Sequence, residues 1–312
     1  MPLDPSIAAL LEGVNAAPRT RIADADPAVL REGERHSNAL VAPKTPLEVG
    51  GVEDGTVPGP AGPVPVRVYR PAGEGPAPTV VFFHGGGWVV GDLDTHDHVA
   101  RRLCGGLRAV VVAVHYRRLP ENPFPAAFDD CLAAARRVAD RIDAYGGRRD
   151  RLAVAGDSAG AALAASVALA FRDAGQPLAA QLLAYPATDR TGAGYPSHAE
   201  NAEGYLLTRE DLRDLTEMLL GGDRTAGEDF RACPLRAAGH AGVAPALIGT
   251  AAYDPLRDKG LAYADALKDA GVEVFVRDYD GLVHGFLNMF AVSPAAEAAV
   301  TEMIKELQAL LR

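Results

Sequence analysis

A serine between two glycines, GDSAG over residues 156–160, follows the apolar run RLAVAG and opens the alanine-rich stretch SAGAALAASVALAFRDAG. A strand that becomes a helix within so few residues strains its backbone at the turn, so small residues must flank it. The turn lifts the Ser158 hydroxyl above the sheet, and the helix N-terminus favours developing negative charge there. A nucleophilic serine needs a base, and the base needs an orienting carboxylate. On such a turn the acid and then the histidine follow the serine along the chain. Of eight histidines, only His198, His240 and His284 lie downstream of Ser158. His198 and His240 fall in or beside an irregular stretch, whereas His284, in DGLVHGF, comes just after VEVFVRDY. His284 is the expected base. Asp254 follows PALIGTAAY directly, and Pro255 fixes the turn behind it, so Asp254 is the expected acid. Asp189 and Asp280 meet the positional rule less well, and Asp258 is expected on the next helix in a salt bridge.

Acyl transfer through a serine creates an oxyanion that requires preorganised N–H donors. One comes from the residue after the nucleophile, Ala159, and others from a glycine loop after an earlier strand. The stretch FFHGGGW (82–88) supplies such a loop, and the expected donors are Gly85, Gly86 and Ala159. A phosphate-binding reading fails, because there is no GK[ST] and the glycines at 85, 87 and 91 do not make G-x-G-x-x-G. His84 is expected to brace the loop. Trp88 and Tyr205 are the expected substrate-binding side chains. His96 and His98 suggest a metal site, but their spacing splits the side chains across a helix and no third cluster accompanies them. The expected site holds no metal and no cofactor.

Strands and helices must hold these residues in place. VRVYR (66–70), TVVFF (79–83), AVVVAVHY (109–116), RLAVAG (151–156), QLLAYP, PALIGTAAY and VEVFVRDY read as strands. Helical spacing runs over 126–145 with Gly146 as the stop, and over the stretch after Ser158, ended by Gly175. Ser293 as N-cap and Pro294 at the first helical position start an amphipathic helix through Leu311. Strands alternating with helices predict an α/β fold with a mostly parallel sheet. Between Pro186 and Pro245 no strand signal appears, only the polar turn region ATDRTGAGYPSHAENAEG and a helix in TREDLRDLTEMLL. A connection this long is usually functional or separately packed. With the first 45 residues it is expected to roof one end of the sheet.

The chain has 312 residues, 48% hydrophobic and 23% charged, as a globular protein with a sizeable core has. Its 31 basic and 41 acidic side chains give a formal charge of −10, which repels nucleic acid and anionic membrane. The N-terminus shows no secretory pattern, no apolar run is long enough for a membrane helix, and the three cysteines form no CxxC. A cytoplasmic location is the expectation.

HGGGWVVGDLDTHDHVAR, YRRLPENPFPAAFDD, GDSAG, ENAEGYLLT, CPLRA, DPLRD and HGF occur in one order that resembles the hormone-sensitive-lipase family of α/β-hydrolases. The resemblance covers the chain from about residue 60 onward. It implies an α/β-hydrolase fold with an eight-stranded sheet and a helical cap built from residues 1–45 and 188–240. The catalytic domain would then comprise 46–187 and 241–312. It implies a carboxylesterase with the triad Ser158, Asp254 and His284, acting without a cofactor on a small-molecule ester of short to medium chain. It leaves room for a homodimer. Ala161 and Ala162 stand where the family often has Gly-Asn, Arg118 where alanine is common, and Cys233 where serine is usual. Amide or N-acetyl hydrolysis by the same triad is the alternative within enzymes. A non-catalytic ligand-binding protein on this scaffold is the alternative from another class; it normally lacks the histidine that His284 supplies.

Overall fold

The computed structural model describes residues 2–17, 19–191 and 194–312. Gly192 and Ala193, within the expected polar turn region, lie outside the described residues. Two helices come first, α1 (Pro5–Ala16) and α2 (Pro27–Val41). Each begins with proline, and the side chains of Asp4 and Asp26 accept from N–H groups of the first turn. The remainder alternates: β1 (Gly51–Gly59), β2 (Gly62–Arg70), β3 (Ala77–Phe83), α3 (Asp97–Leu107), β4 (Val110–Val114), α4 (Ala126–Asp140), β5 (Gly147–Asp157) and α5 (Ala159–Asp173). After β6 (Ala180–Ala184) come α6 (Ser197–Glu200) and α7 (Arg209–Leu220), then β7 (Ala246–Tyr253), α8 (Arg257–Asp269), β8 (Val274–Val283) and α9 (Pro294–Leu310).

The eight strands form one sheet in the order β1-β2-β4-β3-β5-β6-β7-β8. β2 pairs antiparallel with β1 and β4, and the strands from β4 across to β8 pair in parallel. β4 is buried at every residue and β6 likewise, as expected of strands covered on both faces. One core face takes α4, α5 and α8, including Phe128, Val138, Leu163 and Leu267. The other takes α3 and α9, including Leu103, Val300, Met303 and Leu307. α5 is buried along nearly its whole length. Its seven alanines let it approach the strands closely without large side chains to place. All seven strands read from the sequence are present, and β1 is an eighth. The helix expected over 126–145 stops at Asp140 and continues, after Arg141, as a 3-10 turn from Ile142 to Tyr145. Among the described residues no helix is long and apolar enough to cross a membrane.

Candidate active site

Parallel strands with right-handed crossovers bring all their C-terminal ends to one edge, and the chemistry gathers there. β5 ends at Asp157, and Ser158 turns the chain into α5 with φ 53° and ψ −117°. The two flanking glycines are required by contact. A Cβ on Gly156 would lie 2.4 Å from the Gly160 carbonyl, and one on Gly160 would lie 2.0 Å from the Phe83 oxygen. The Ser158 N–H donates to the Ala184 carbonyl at 2.9 Å, which fixes the turn to the end of β6.

Asp254 lies one residue beyond β7 and is fully buried. Its Oδ1 accepts from the Leu256 N–H at 2.7 Å, leaving Oδ2 for His284, which lies one residue beyond β8. His284 Nδ1 is 2.7 Å from Asp254 Oδ2 and its Nε2 is 2.9 Å from Ser158 Oγ. A carboxylate only accepts, so Nδ1 carries the proton and Nε2 is left to accept from the serine hydroxyl. Tyr185 meets the imidazole edge-on at 4.7 Å between ring centres, holding its plane. The three residues brought together are the three expected from sequence. The other candidates have other partners. Asp189 pairs with Arg236 and accepts from the Tyr195 hydroxyl, while Asp258 accepts from the Ser197 N–H and pairs with Arg257. His240 meets the Pro234 carbonyl, and His198 stacks edge-on against Tyr195.

The glycine loop needs a correction. The Gly85 N–H donates to Asp157 Oδ1 at 2.8 Å, so it is not available to a substrate oxygen. Gly86 and Gly87 instead line the cavity with Ser158 and His284, and neither N–H has an acceptor among the described residues. Ala159 is the first residue of α5, where an N–H has no intrahelical acceptor. Both cavity glycines have left-handed φ values, 108° and 59°, and a Cβ on Gly86 would meet the Val90 carbonyl at 2.4 Å. His84 braces the loop, as expected: its Nδ1–H donates to the Gly85 carbonyl at 2.7 Å, and its ring stacks on Tyr116. The Tyr116 hydroxyl in turn donates to the His84 carbonyl.

The same Asp157 oxygen also faces His96, whose Nε2 is 3.4 Å from Oδ1. Burial alone would push His96 down, but the Asp157 carboxylate, with Glu34 and Asp92, outweighs it and raises its pKa. Burial would likewise raise Asp157, and His96 and the Gly85 N–H reverse the sign and lower it. His98, two residues on, turns elsewhere, with Nε2 at 3.1 Å from the Asn288 carbonyl. Among the described residues no group of three or more His, Cys, Asp or Glu could hold a metal.

The cavity over Ser158 measures about 380 Å³. Trp88 lines it, as expected, with Arg190 stacked 4.2 Å over its ring. Tyr205 does not. It packs on Tyr253 at 4.9 Å, and the chain turns at Leu206 (φ 70°) so that Leu206 and Leu207 line the cavity instead. Ile22, Leu30 and Glu34 come from the N-terminal segment, and Leu212 and Leu215 from α7. Arg190 and Glu34 carry no signal in a single sequence, because only packing brings them to the serine.

Residues 80–288 match the Abhydrolase_3 family, which has the alpha/beta hydrolase fold. The chain is 42% identical to carboxylic ester hydrolase LipN of Mycobacterium tuberculosis over 83% of its own length and 70% of that protein. It is 37% identical to an ethyl acetate hydrolase of Pseudomonas putida, covering 78% of each. A hyperthermophilic esterase from Pyrobaculum calidifontis superposes with a TM-score of 0.93 at 38% identity, over 99% of both chains. The match in sequence and the match in architecture agree, and the chain belongs to the Abhydrolase_3 family of α/β-hydrolases, in its hormone-sensitive-lipase branch.

Proposed function

We propose that this carboxylic ester hydrolase works through an acyl-enzyme on Ser158. The observation that carries the reading is the unbroken chain Ser158 Oγ, His284 Nε2, His284 Nδ1, Asp254 Oδ2, with contacts of 2.9 and 2.7 Å. His284 takes the serine proton as Oγ attacks the ester carbonyl, and Asp254 stabilises the imidazolium that forms. Gly86, Gly87 and Ala159 N–H groups receive the oxyanion, each worth about 2.7–4 kcal/mol. His284 returns its proton to the departing alcohol, and water then repeats the sequence on the acyl-enzyme.

Residues 1–45 and 188–240 act together as a cap over the catalytic domain formed by 46–187 and 241–312. Both cap segments contribute to the cavity wall, and Leu215 of α7 would meet a Cβ on Gly87 at 2.7 Å. A roofed cavity of about 380 Å³ suits compact substrates and excludes water during reaction. Acyl chains of roughly two to eight carbons are the range that the family resemblance implies, and the roof gives only the direction toward compact substrates. Chromogenic esters of increasing acyl length, with an anilide alongside, test both parts. Turnover should peak in the short range and fall by at least about 10³-fold in folded Ser158→Ala. Full activity in that variant would overturn the mechanism. A profile climbing to long chains with interfacial activation would overturn the roof, and anilide turnover matching the ester would favour amide hydrolysis.

A further inference from the structure

Arg190 is only 6% exposed and lies on the wall of the cavity that holds Ser158. A guanidinium is rarely buried without a carboxylate. Arg190 has no carboxylate ion-pair partner among the described residues. Neighbouring Asp189 is occupied by Arg236, the Tyr195 hydroxyl and Thr191. Along the cavity wall, Asp157 is held by Gly85 and His96, and Asp211 by Arg19 and Thr208. Glu34 accepts from the Asn38 amide, and burial pushes its carboxyl pKa up.

The contacts Arg190 does make leave its charge unanswered. Its Nη2 donates to the Ala187 carbonyl at 3.0 Å, and the Trp88 ring lies against it. The ring steadies a cation but offers no acceptor atom. Nε is buried without a partner, and Nη1 has no acceptor among the described residues. A second buried cation, Lys259, stands within electrostatic reach of Arg190, and the two repel. The carboxylate that acts on both cations is Asp189, which Arg236 already balances. Ala187, which anchors Arg190, also directs its N–H toward the Ser158 carbonyl at 3.4 Å, so the unanswered charge is tied to the turn that carries the nucleophile.

We propose that Arg190 recognises a carboxylate on the substrate, so that the preferred esters carry an anionic group beside the ester that reacts. A half-ester of a short dicarboxylic acid presents that group on the acyl side, and an acylated hydroxy acid presents it on the alcohol side. In-plane N–H donors of a guanidinium match either carboxylate. This rests on the acyl-enzyme reading above and is tested separately from it.

The experiment compares kcat/KM for matched pairs: monomethyl glutarate against methyl hexanoate for the acyl side, and 2-acetoxypropanoate against sec-butyl acetate for the alcohol side. The wild type should favour the anionic member of one pair by at least about tenfold. In Arg190→Met the anionic-to-neutral ratio for that pair should fall by about 10²-fold, chiefly through KM, and Arg190→Lys should restore part of it. A purely structural Arg190 would lower both members alike and leave the ratio unmoved, which would overturn the proposal. So would a wild type that disfavours the anion in both pairs. Should Arg190→Met not fold, binding to Ser158→Ala decides, because the preferred anionic ester must then bind at least about tenfold tighter than its neutral match. Turnover of the neutral esters by the wild type, and its loss in Ser158→Ala, reports on the acyl-enzyme reading whatever the ratio does.

Discussion

Asp157 stands between the nucleophile and the loop that faces it, and two groups meet on its carboxylate. It accepts from the Gly85 N–H on the loop and faces the His96 imidazole, both buried. Asp157→Ala would leave the Gly85 N–H and the Nε2 side of His96 without their acceptor together, while His96 Nδ1 keeps the Thr95 hydroxyl. Breaking such a buried pair from one side costs about 3–5 kcal/mol. The glycine loop would also lose its orientation, so kcat should fall more than KM rises. The sign of the pH dependence follows from the two shifts. Asp157 lies below its ordinary 3.8, so its stabilisation is complete above that value and is lost as pH falls through its folded pKa. His96 lies above its ordinary 6.5, so its share is complete below that value and is lost as pH rises through its folded pKa. Denaturant melts should therefore show the largest gap between wild type and Asp157→Ala near pH 5, narrowing toward pH 9. A gap that stays constant from pH 5 to pH 9 would mean that His96 is neutral in the folded protein across that range. This site was only partly legible in the sequence. Ser158, Asp254 and His284 each follow a strand that the apolar pattern marks, and chain order assigns them. Which glycine N–H groups stay free depends on a contact between residues 72 positions apart, and no local pattern encodes it.

At the scale of elements, α2 clamps the segment that follows the glycine loop. Arg31 donates from Nε to the Val89 carbonyl at 3.0 Å and from Nη2 to the Leu119 carbonyl at 2.9 Å, and it pairs with Glu121. One turn along, Arg35 reaches Asp92, which itself caps the Asp94 and Thr95 N–H groups. The helix thus fixes both chains that border Trp88. Arg31→Ala should cost about 1–3 kcal/mol by leaving two carbonyls without their donor. It should lower kcat/KM by about tenfold, because Trp88 and the adjacent glycines would be less well placed. Unchanged kinetics in a destabilised Arg31→Ala would confine α2 to a structural role. The legibility of elements followed their burial. β4 and β6, covered on both faces, read as strands from composition alone. β1 carries no such pattern: it is an edge strand, its residues GVEDGTVPG include a proline and two acids, and only Val57 is buried. Such residues protect an edge from pairing with another chain, and they erase the apolar signal in doing so.

The whole molecule carries a charge of −10, yet the buried ionic group that the fold disfavours most clearly is a cation. Lys259 on α8 is 4% exposed, and burial, with Arg190 adding to it, pulls its pKa down from 10.5 to about 7; Asp189, Cys233 and Asp254 offset only part of this. Its Nζ lies 5.9 Å from the Tyr195 ring, and the Thr188 hydroxyl donates to its main-chain carbonyl. A lysine whose folded pKa lies below its unfolded value destabilises the fold while protonated. The penalty is complete below about pH 7, shrinks as pH rises, and vanishes above 10.5. At 1.36 kcal/mol for each pKa unit, the ceiling on that penalty is roughly 5 kcal/mol. Methionine has a similar unbranched shape and no charge, and it keeps the main-chain carbonyl that Thr188 uses. Lys259→Met should therefore melt above the wild type near pH 6, with the difference closing as pH approaches 10. Thermal unfolding across that range checks it. A variant that is less stable near pH 6, by a margin constant with pH, would show that the Lys259 ammonium holds the cap to the sheet rather than straining it.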